Sequence, residues 1–230
     1  MQTCLITGAN RGIGLELAWH YARAGTTVLA TARDPASAAD LQRLKSEHPS
    51  VEILRFDVSD AGSFARLSAS VAGRPIDRLI ANAGVIGPRG GISDPANTTA
   101  TWAQVLGVNV TGVYFTVSAL AENVIAAGGG KIAIIASRMG SSTAAAGSSY
   151  LYRASKAAAA NLGVNFAAEL KPRAVAVGVY HPGWVKTDMG GPGADIAPAV
   201  SAAGLALRIE RLTLATTGVF EDYAGTAIAY

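Results

Sequence analysis

Charge is scarce in this 230-residue chain: Asp, Glu, Lys and Arg make up 15% of it, where about 25% is usual. Half of the residues are hydrophobic, so the scarcity does not signal disorder, which goes with few apolar residues and high net charge. The 19 basic and 16 acidic side chains leave a net charge of only +3, with no dense basic run. That excludes the clustered cationic stripe of a nucleic-acid binder, and no nucleic-acid partner is expected. A single cysteine, Cys4, excludes an internal disulfide, and its apolar setting marks a small core residue. No metal site is expected. No basic leader precedes the first strand-like segment. Residues 95–121 carry no charge, but Pro95, Asn97, Thr98, Thr99, Thr101, Gln104, Asn109 and Thr111 interrupt them. A membrane span needs about 20 mainly apolar residues, so the stretch reads as a loop and a buried helix. The expectation is a soluble, cytoplasmic protein without a membrane partner. No repeat and no Pro- or Ser-rich linker divides the chain, which predicts one domain over residues 1–230.

Glycine, by contrast, is plentiful at 26 residues, a sign of tight turns and close backbone approaches. Short Val- and Ile-rich runs alternate with longer amphipathic segments. Strands are predicted over Thr3–Thr7, Thr27–Ala32, Val51–Phe56, Arg78–Ala81, Lys131–Ala136 and Val175–Tyr180, with a weaker one at Gly218–Phe220. Helices are predicted over Ile13–Ala24, Ala36–Glu47, Ala61–Ala72, Thr99–Ala126, Tyr150–Leu170 and Pro198–Arg211. Such alternation gives an α/β fold, a doubly wound parallel sheet with helices on both faces. Ligands of these sheets bind beyond the carboxyl ends of the strands, where the strand order reverses.

The first strand leads into Thr7-Gly8-Ala9-Asn10-Arg11-Gly12-Ile13-Gly14 and then a helix. Free N–H groups and the dipole of a helix N-terminus attract an anion. Glycine at the crossing points lets a dinucleotide pyrophosphate and the neighbouring strand approach. Downstream, Tyr152-Arg153-Ala154-Ser155-Lys156 places a phenol and an ammonium at i and i+4, on one helix face. A free tyrosine titrates near pH 10, and a lysine cation beside it favours the phenolate and lowers that value. Seven tyrosines and five lysines in 230 residues give this spacing a chance expectation of only ~0.15, and the glycine loop in the right order strengthens it further.

TGxxxGIG followed by YxxxK resembles the short-chain dehydrogenase/reductases, and the resemblance spans essentially the whole chain. It implies a single-domain Rossmann-type sheet. Asp57-Val58 stands where the family sets an acidic residue against adenine. Asn82-Ala83-Gly84 matches its NAG motif, and Asn109 its helix asparagine. Pro182-Gly183-Trp184-Val185-Lys186-Thr187 matches PGxxxT, with Thr187 on the nicotinamide amide. The resemblance implies that Ser137, after the fifth strand, hydrogen-bonds the substrate carbonyl. Ser137 lies 15 residues before Tyr152, two more than is usual, with Ser141 and Ser142 as rivals; the strand–Ser–x–x–Gly pattern favours Ser137. This longer spacing, Ser149–Arg153, Pro182–Pro192 and Gly218–Tyr223 resemble one branch, the C-factor and sniffer-like carbonyl reductases.

The end of the second strand bears on the cofactor. An acid there suits the ribose 2′-OH of NAD, an arginine the 2′-phosphate of NADP. Arg33 sits just past the strand and Arg11 inside the glycine loop, two planar forks suited to one phosphate. NADP(H) is the expected cofactor; a register slip of one would give the ribose to Asp34 and favour NAD(H). The resemblance implies reversible reduction of a ketone or aldehyde: Tyr152 gives the proton, Ser137 polarises the carbonyl, and Lys156 holds the nicotinamide ribose and tunes Tyr152. Asn109 either links Lys156 to solvent through a water or satisfies a break in its own helix. Arg138 meets an acidic substrate or is a rim charge. Trp184 lines the substrate pocket or packs under its loop. His181 reads as a surface histidine. A second reading is a nucleotide-binding signalling protein of the C-factor type. The resemblance implies a homodimer or homotetramer, and the small residues of the Tyr150–Leu170 helix could pack on the sheet or on a partner.

Overall fold

The alternating segments fold into one seven-stranded sheet in the computed structural model, which describes residues 2–230. The strands are β1 (Thr3–Ile6), β2 (Thr27–Ala32), β3 (Val51–Arg55), β4 (Arg78–Ala81), β5 (Lys131–Ile135), β6 (Ala176–His181) and β7 (Val219–Asp222). All pairings are parallel, in the order β3-β2-β1-β4-β5-β6-β7. The order reverses between β1 and β4, which opens a crevice over their carboxyl ends.

Side-chain alternation divides the core into two layers. Cys4 and Ile6 of β1 pack with Leu17 of α1 (Gly12–Arg23), Leu41 of α2 (Ala39–Glu47) and Leu205 of α7 (Pro198–Arg211). Leu5 points the other way, to Leu67 of α3 (Ala61–Ser70), Leu120 of α5 (Gly112–Ile125) and Phe166 of α6 (Tyr150–Leu170). Both faces of the central strands β1, β4 and β5 are therefore dry, as their continuous apolar runs require. Full burial of one such Leu contributes about 1.5–3 kcal/mol. Cys4 is completely buried, in keeping with its reading as a core residue.

The predicted Thr99–Ala126 helix is interrupted. α4 (Thr99–Leu106) and α5 flank a wide π turn at Gly107–Thr111. Thr98 caps the start, its hydroxyl accepting the Thr101 N–H at 3.1 Å. By length and composition the Thr99–Ile125 segment could cross a membrane; in the fold its Val113, Val117, Leu120 and Val124 are buried against the sheet. α2 begins three residues later than predicted, because the Asp34 side chain accepts the Ala36 N–H and turns the chain first.

The small-residue stripe of α6 packs on the sheet. Ala159, Gly163 and Ala167 are buried there, and a Cβ on Gly163 would stand 2.3 Å from Val179 Cγ2. The close approach lowers α6 onto β5 and β6 and brings its first turn to the crevice.

Candidate active site

A cleft of about 570 Å³ lies over the reversal point. One wall is the glycine loop. Gly8 has φ +65°, and a Cβ there would come within 3.0 Å of Ala83 Cα. At Gly14 the demand is space: a Cβ would stand 2.5 Å from both Gly8 O and Asn82 Nδ2. Thr7 Oγ1 accepts the N–H groups of Asn82 and Ala83, each at 3.0 Å. The Asn82 amide donates to the carbonyls of Thr7 and Gly8 at 2.9 and 3.1 Å. β1 and β4 are thus tied where the chain turns into α1. Arg11, the N-cap of α1, makes no capping bond through its side chain, so no side chain of its own covers the first-turn N–H groups on the cleft side.

At the far end lie Arg33, Asp57 and Val58. Asp57 Oδ1 accepts from the Ser59 N–H at 2.9 Å and the Ser59 hydroxyl at 2.6 Å. Burial pushes the Asp57 carboxyl up, but Ser59 and the charge of Arg33 outweigh it and hold the group below the usual range. Asp34, the rival of Arg33, is turned away into the bend, bonded to Ala36 N–H at 3.2 Å, and does not line the cleft. Arg11 departs from expectation. Its guanidinium forms an ion pair with Asp188, across the cleft in the segment after β6, so it is already paired with a carboxylate.

The other end gathers the hydroxyl, phenol and ammonium. Ser137 lies just beyond β5, Tyr152 and Lys156 on the first turns of α6, and all three are buried. The Tyr152 phenol faces the Ser137 hydroxyl, which favours its phenolate form. Lys156 Nζ donates to the Ile135 carbonyl at 2.9 Å and lies 5.7 Å from the Tyr152 ring centre. Burial dominates both titrations. It raises Tyr152 to about 12, against the opposing pull of the Ser137 hydroxyl and the Arg89 charge, and it lowers Lys156 to about 8. The expected net lowering of the Tyr152 pKa by Lys156 does not occur, because the loss of solvent costs the phenolate more than its neighbours return.

Two short 3-10 turns, Arg138–Gly140 and Ser142–Ala144, take up the extra spacing between Ser137 and Tyr152. The rival hydroxyls are engaged elsewhere: Ser141 accepts the Thr143 N–H at 3.3 Å, and Ser142 donates to the Tyr230 carbonyl at 2.8 Å. Asn109 lies in the π turn, fully buried. Its Oδ1 accepts Val85 N–H, and its Nδ2 donates to Val85 O and Ser155 Oγ, each bond 2.9 Å. Its side chain thus pins the loop after β4 to α6 and makes no bond to Lys156.

Of the expected cofactor residues, Gly8, Asn10, Arg11, Gly12, Ile13, Gly14, Arg33, Asp57, Val58, Asn82, Ala83, Gly84, Tyr152, Lys156, Pro182 and Thr187 line the cleft. Gly183 and Val185 do not: Gly183 packs beneath on Ile196 and Tyr223, and Val185 is buried in a bridge to Ile196. His181 is not a surface residue. It is half-buried, its Nδ1 has no partner, and burial, with Arg138 beside it, holds it down to about 4. Arg138 pairs with Asp222 at 3.3 Å. Trp184 lies outside its loop, half exposed, with Nε1 donating to Gly190 O at 2.9 Å. Sequence reasoning missed Gln104, Val108, Lys186, Asp188 and Met189 in the lining. The π turn rotates α4 in a way no local pattern announces, and the segment after Thr187 closes back only in the folded chain.

The short chain dehydrogenase family profile matches residues 2–195. The C-signal of Myxococcus xanthus is 35% identical over 165 residues, 71% of this chain and 98% of its own length. The structure of the carbonyl reductase Sniffer of D. melanogaster superposes with a TM-score of 0.93 at 27% identity, all of both chains being covered. That of the NADPH-bound carbonyl reductase from chicken fatty liver does so at 0.92 and 30% identity, over 100% of this chain and 99% of the other.

Proposed function

The chain belongs to the short chain dehydrogenase family, and on that premise we propose that it is an NADPH-dependent carbonyl reductase with a Ser137–Tyr152–Lys156 site. The observation that carries the reading is the buried Tyr152 phenol on the cofactor cleft, with the buried Lys156 ammonium 5.7 Å from its ring centre on the same cleft.

The cleft suits a dinucleotide. Its glycine cradle would be filled by a single Cβ at Gly14, and the start of α1 supplies N–H donors for a pyrophosphate. Gly8, Asn10, Gly12, Ile13 and Gly14 would hold the pyrophosphate, Asp57 and Val58 the adenine, Lys156 the nicotinamide ribose, and Pro182 and Thr187 the nicotinamide. NADPH, when bound, supplies a hydride to a carbonyl carbon. The chain's own groups manage the oxygen. Ser137 donates a hydrogen bond that polarises the carbonyl and holds it against the phenol. Tyr152, kept neutral by burial, gives its proton to the oxygen as negative charge develops. The buried Lys156 ammonium then favours the phenolate left behind. Asn109 acts as a positioning residue, fixing Val85 and Ser155 around that ammonium.

Fluorescence titration with NADPH and NADH, followed by a panel of ketones and aldehydes, tests the reading. Preferred binding of NADPH and its consumption with at least one carbonyl are expected. Binding without any turnover would favour the second reading, a nucleotide-binding signalling protein, to which the likeness to the C-signal lends weight.

The depressed Lys156 also sets a pH dependence. The protonated form is the active one and is fully present below its value of about 8. For the reducing direction, kcat/KM for NADPH should be flat up to that pH and then fall by up to about tenfold per unit. An unchanged kcat/KM well above it would exclude Lys156 as the group responsible.

A further inference from the structure

Three arginines outside the cofactor motifs flank the Ser137–Tyr152 end of the cleft. Arg138 follows Ser137, Arg153 follows Tyr152, and Arg89 lies in the loop after β4. Two of them are committed. Arg138 pairs with Asp222. Arg153 donates to the carbonyls of Ser148 and Ala144 and holds the turn ahead of α6. Arg89 is exposed, and its guanidinium reaches over to donate to the Met189 carbonyl in the segment after β6. Met189 lines the cleft, and Arg89 stands on the rim above that lining.

The backbone holds Arg89 beside the reacting groups. Ser149, one turn before Tyr152, donates its N–H to the Gly90 carbonyl at 3.0 Å and its hydroxyl to the Arg89 carbonyl at 3.4 Å. The loop after β4 is thus docked on the start of α6. The Arg89 charge is felt at the Tyr152 phenol, where it favours the phenolate.

No carboxylate balances that charge. Asp94, in the same loop, accepts the N–H groups of Gly90 and Ala96 at 3.0 and 2.9 Å. Asp188, beside Met189, is paired with Arg11, and Asp222 with Arg138. Among the described residues Arg89 enters no ion pair within 4.0 Å. Its one side-chain bond goes to a neutral carbonyl. A planar fork in that state, at the mouth of a site for a small molecule, suits a carboxylate brought from outside.

We propose that the substrate is an oxo acid, with its carbonyl at Ser137 and Tyr152 and its carboxylate held at the rim by Arg89. The inference rests on the carbonyl reductase reading and adds to it a substrate class and a specificity residue. The two groups of the substrate are set apart, because Tyr152 is buried and Arg89 is exposed. The carboxylate takes the fork from the Met189 carbonyl, so a neutral acceptor is exchanged for a charged and stronger one.

4-Carboxybenzaldehyde and its methyl ester present the same aldehyde with and without the charge. Calorimetry on the NADP+ complex reads their binding without turnover, and NADPH consumption reads kcat/KM. Wild type is expected to bind the acid at least about tenfold more tightly than the ester, as one charge-assisted bond implies, and to reduce it with the larger kcat/KM. Arg89→Ala should bring the acid-to-ester ratio close to one. Arg89→Lys, which keeps the charge without the fork, should restore part of it. Equal binding of acid and ester by wild type, or a wild-type ratio in Arg89→Ala, would overturn the role of Arg89. No reduction of either aldehyde, with the acid still preferred in binding, would count against the carbonyl reductase reading and not against Arg89.

Discussion

Tyr152→Phe is expected to lower carbonyl reduction by about a thousandfold, within the range that a general acid supplies, while NADPH affinity changes little. The substitution removes one oxygen from a buried ring and leaves the ring's packing in place. What is lost is the proton that must reach the carbonyl oxygen. The raised phenol, at about 12, is a neutral donor throughout the physiological range, so no compensating pH should restore the rate. Single-turnover mixing of the NADPH complex with an aldehyde would read the step directly. A variant that retains a tenth of the wild-type rate would remove Tyr152 from the role of acid and leave water or another hydroxyl in its place.

Gly14→Ala is expected to abolish measurable dinucleotide binding and to destabilise the fold. The added carbon meets the Gly8 carbonyl and the Asn82 amide at 2.5 Å each. Neither can retreat cheaply. Gly8 is backbone at the tightest point of the loop, and Asn82 Nδ2 carries the two bonds that tie β4 to β1. Overpacking of this kind costs about 1–3 kcal/mol, and one broken buried hydrogen bond adds about 1 kcal/mol. At this chain length a loss of about 3 kcal/mol lowers Tm by about 6–12 °C. Thermal melts and NADPH fluorescence on the same preparation separate the two effects. A variant with wild-type affinity would mean that the loop does not hold the pyrophosphate as proposed.

Much of this was legible in the sequence. The strand and helix assignments hold in type, since period-2 and period-3.6 patterns are local and the apolar runs on β1, β4 and β5 had no other place to go. The glycine loop and the YxxxK pair are legible in their spacing, and both line one cleft; the hydroxyl after β5 is legible only through the family resemblance, and Ser137 is not among that cleft's lining residues. Boundaries shifted where a side chain intervened, as Asp34 did ahead of α2. The π turn at Asn109 was hidden, because the bonds that its side chain makes there go to Val85 and Ser155, residues far apart in the chain.

Single-residue environments were the least legible. His181 looks like a solvent-facing residue in sequence, yet its ring is half-buried beside Arg138 at the ends of β5–β7. Trp184 suggests either a wall of the substrate pocket or packing under its loop, but the loop turns it outward and it does not line the cleft.

By itself, then, the sequence determined the α/β alternation, the order of the motifs and the identity of the groups available for chemistry. Each of these depends on neighbours within a few positions, where backbone preference and side-chain period act directly. The tertiary structure alone decided which charge meets which. The return of the segment after β6 gives Arg11 to Asp188, and burial of the first turn of α6 reverses the expected shift of Tyr152. Those outcomes arise from sums of distance and desolvation over residues far apart in the chain, and no local pattern carries that information.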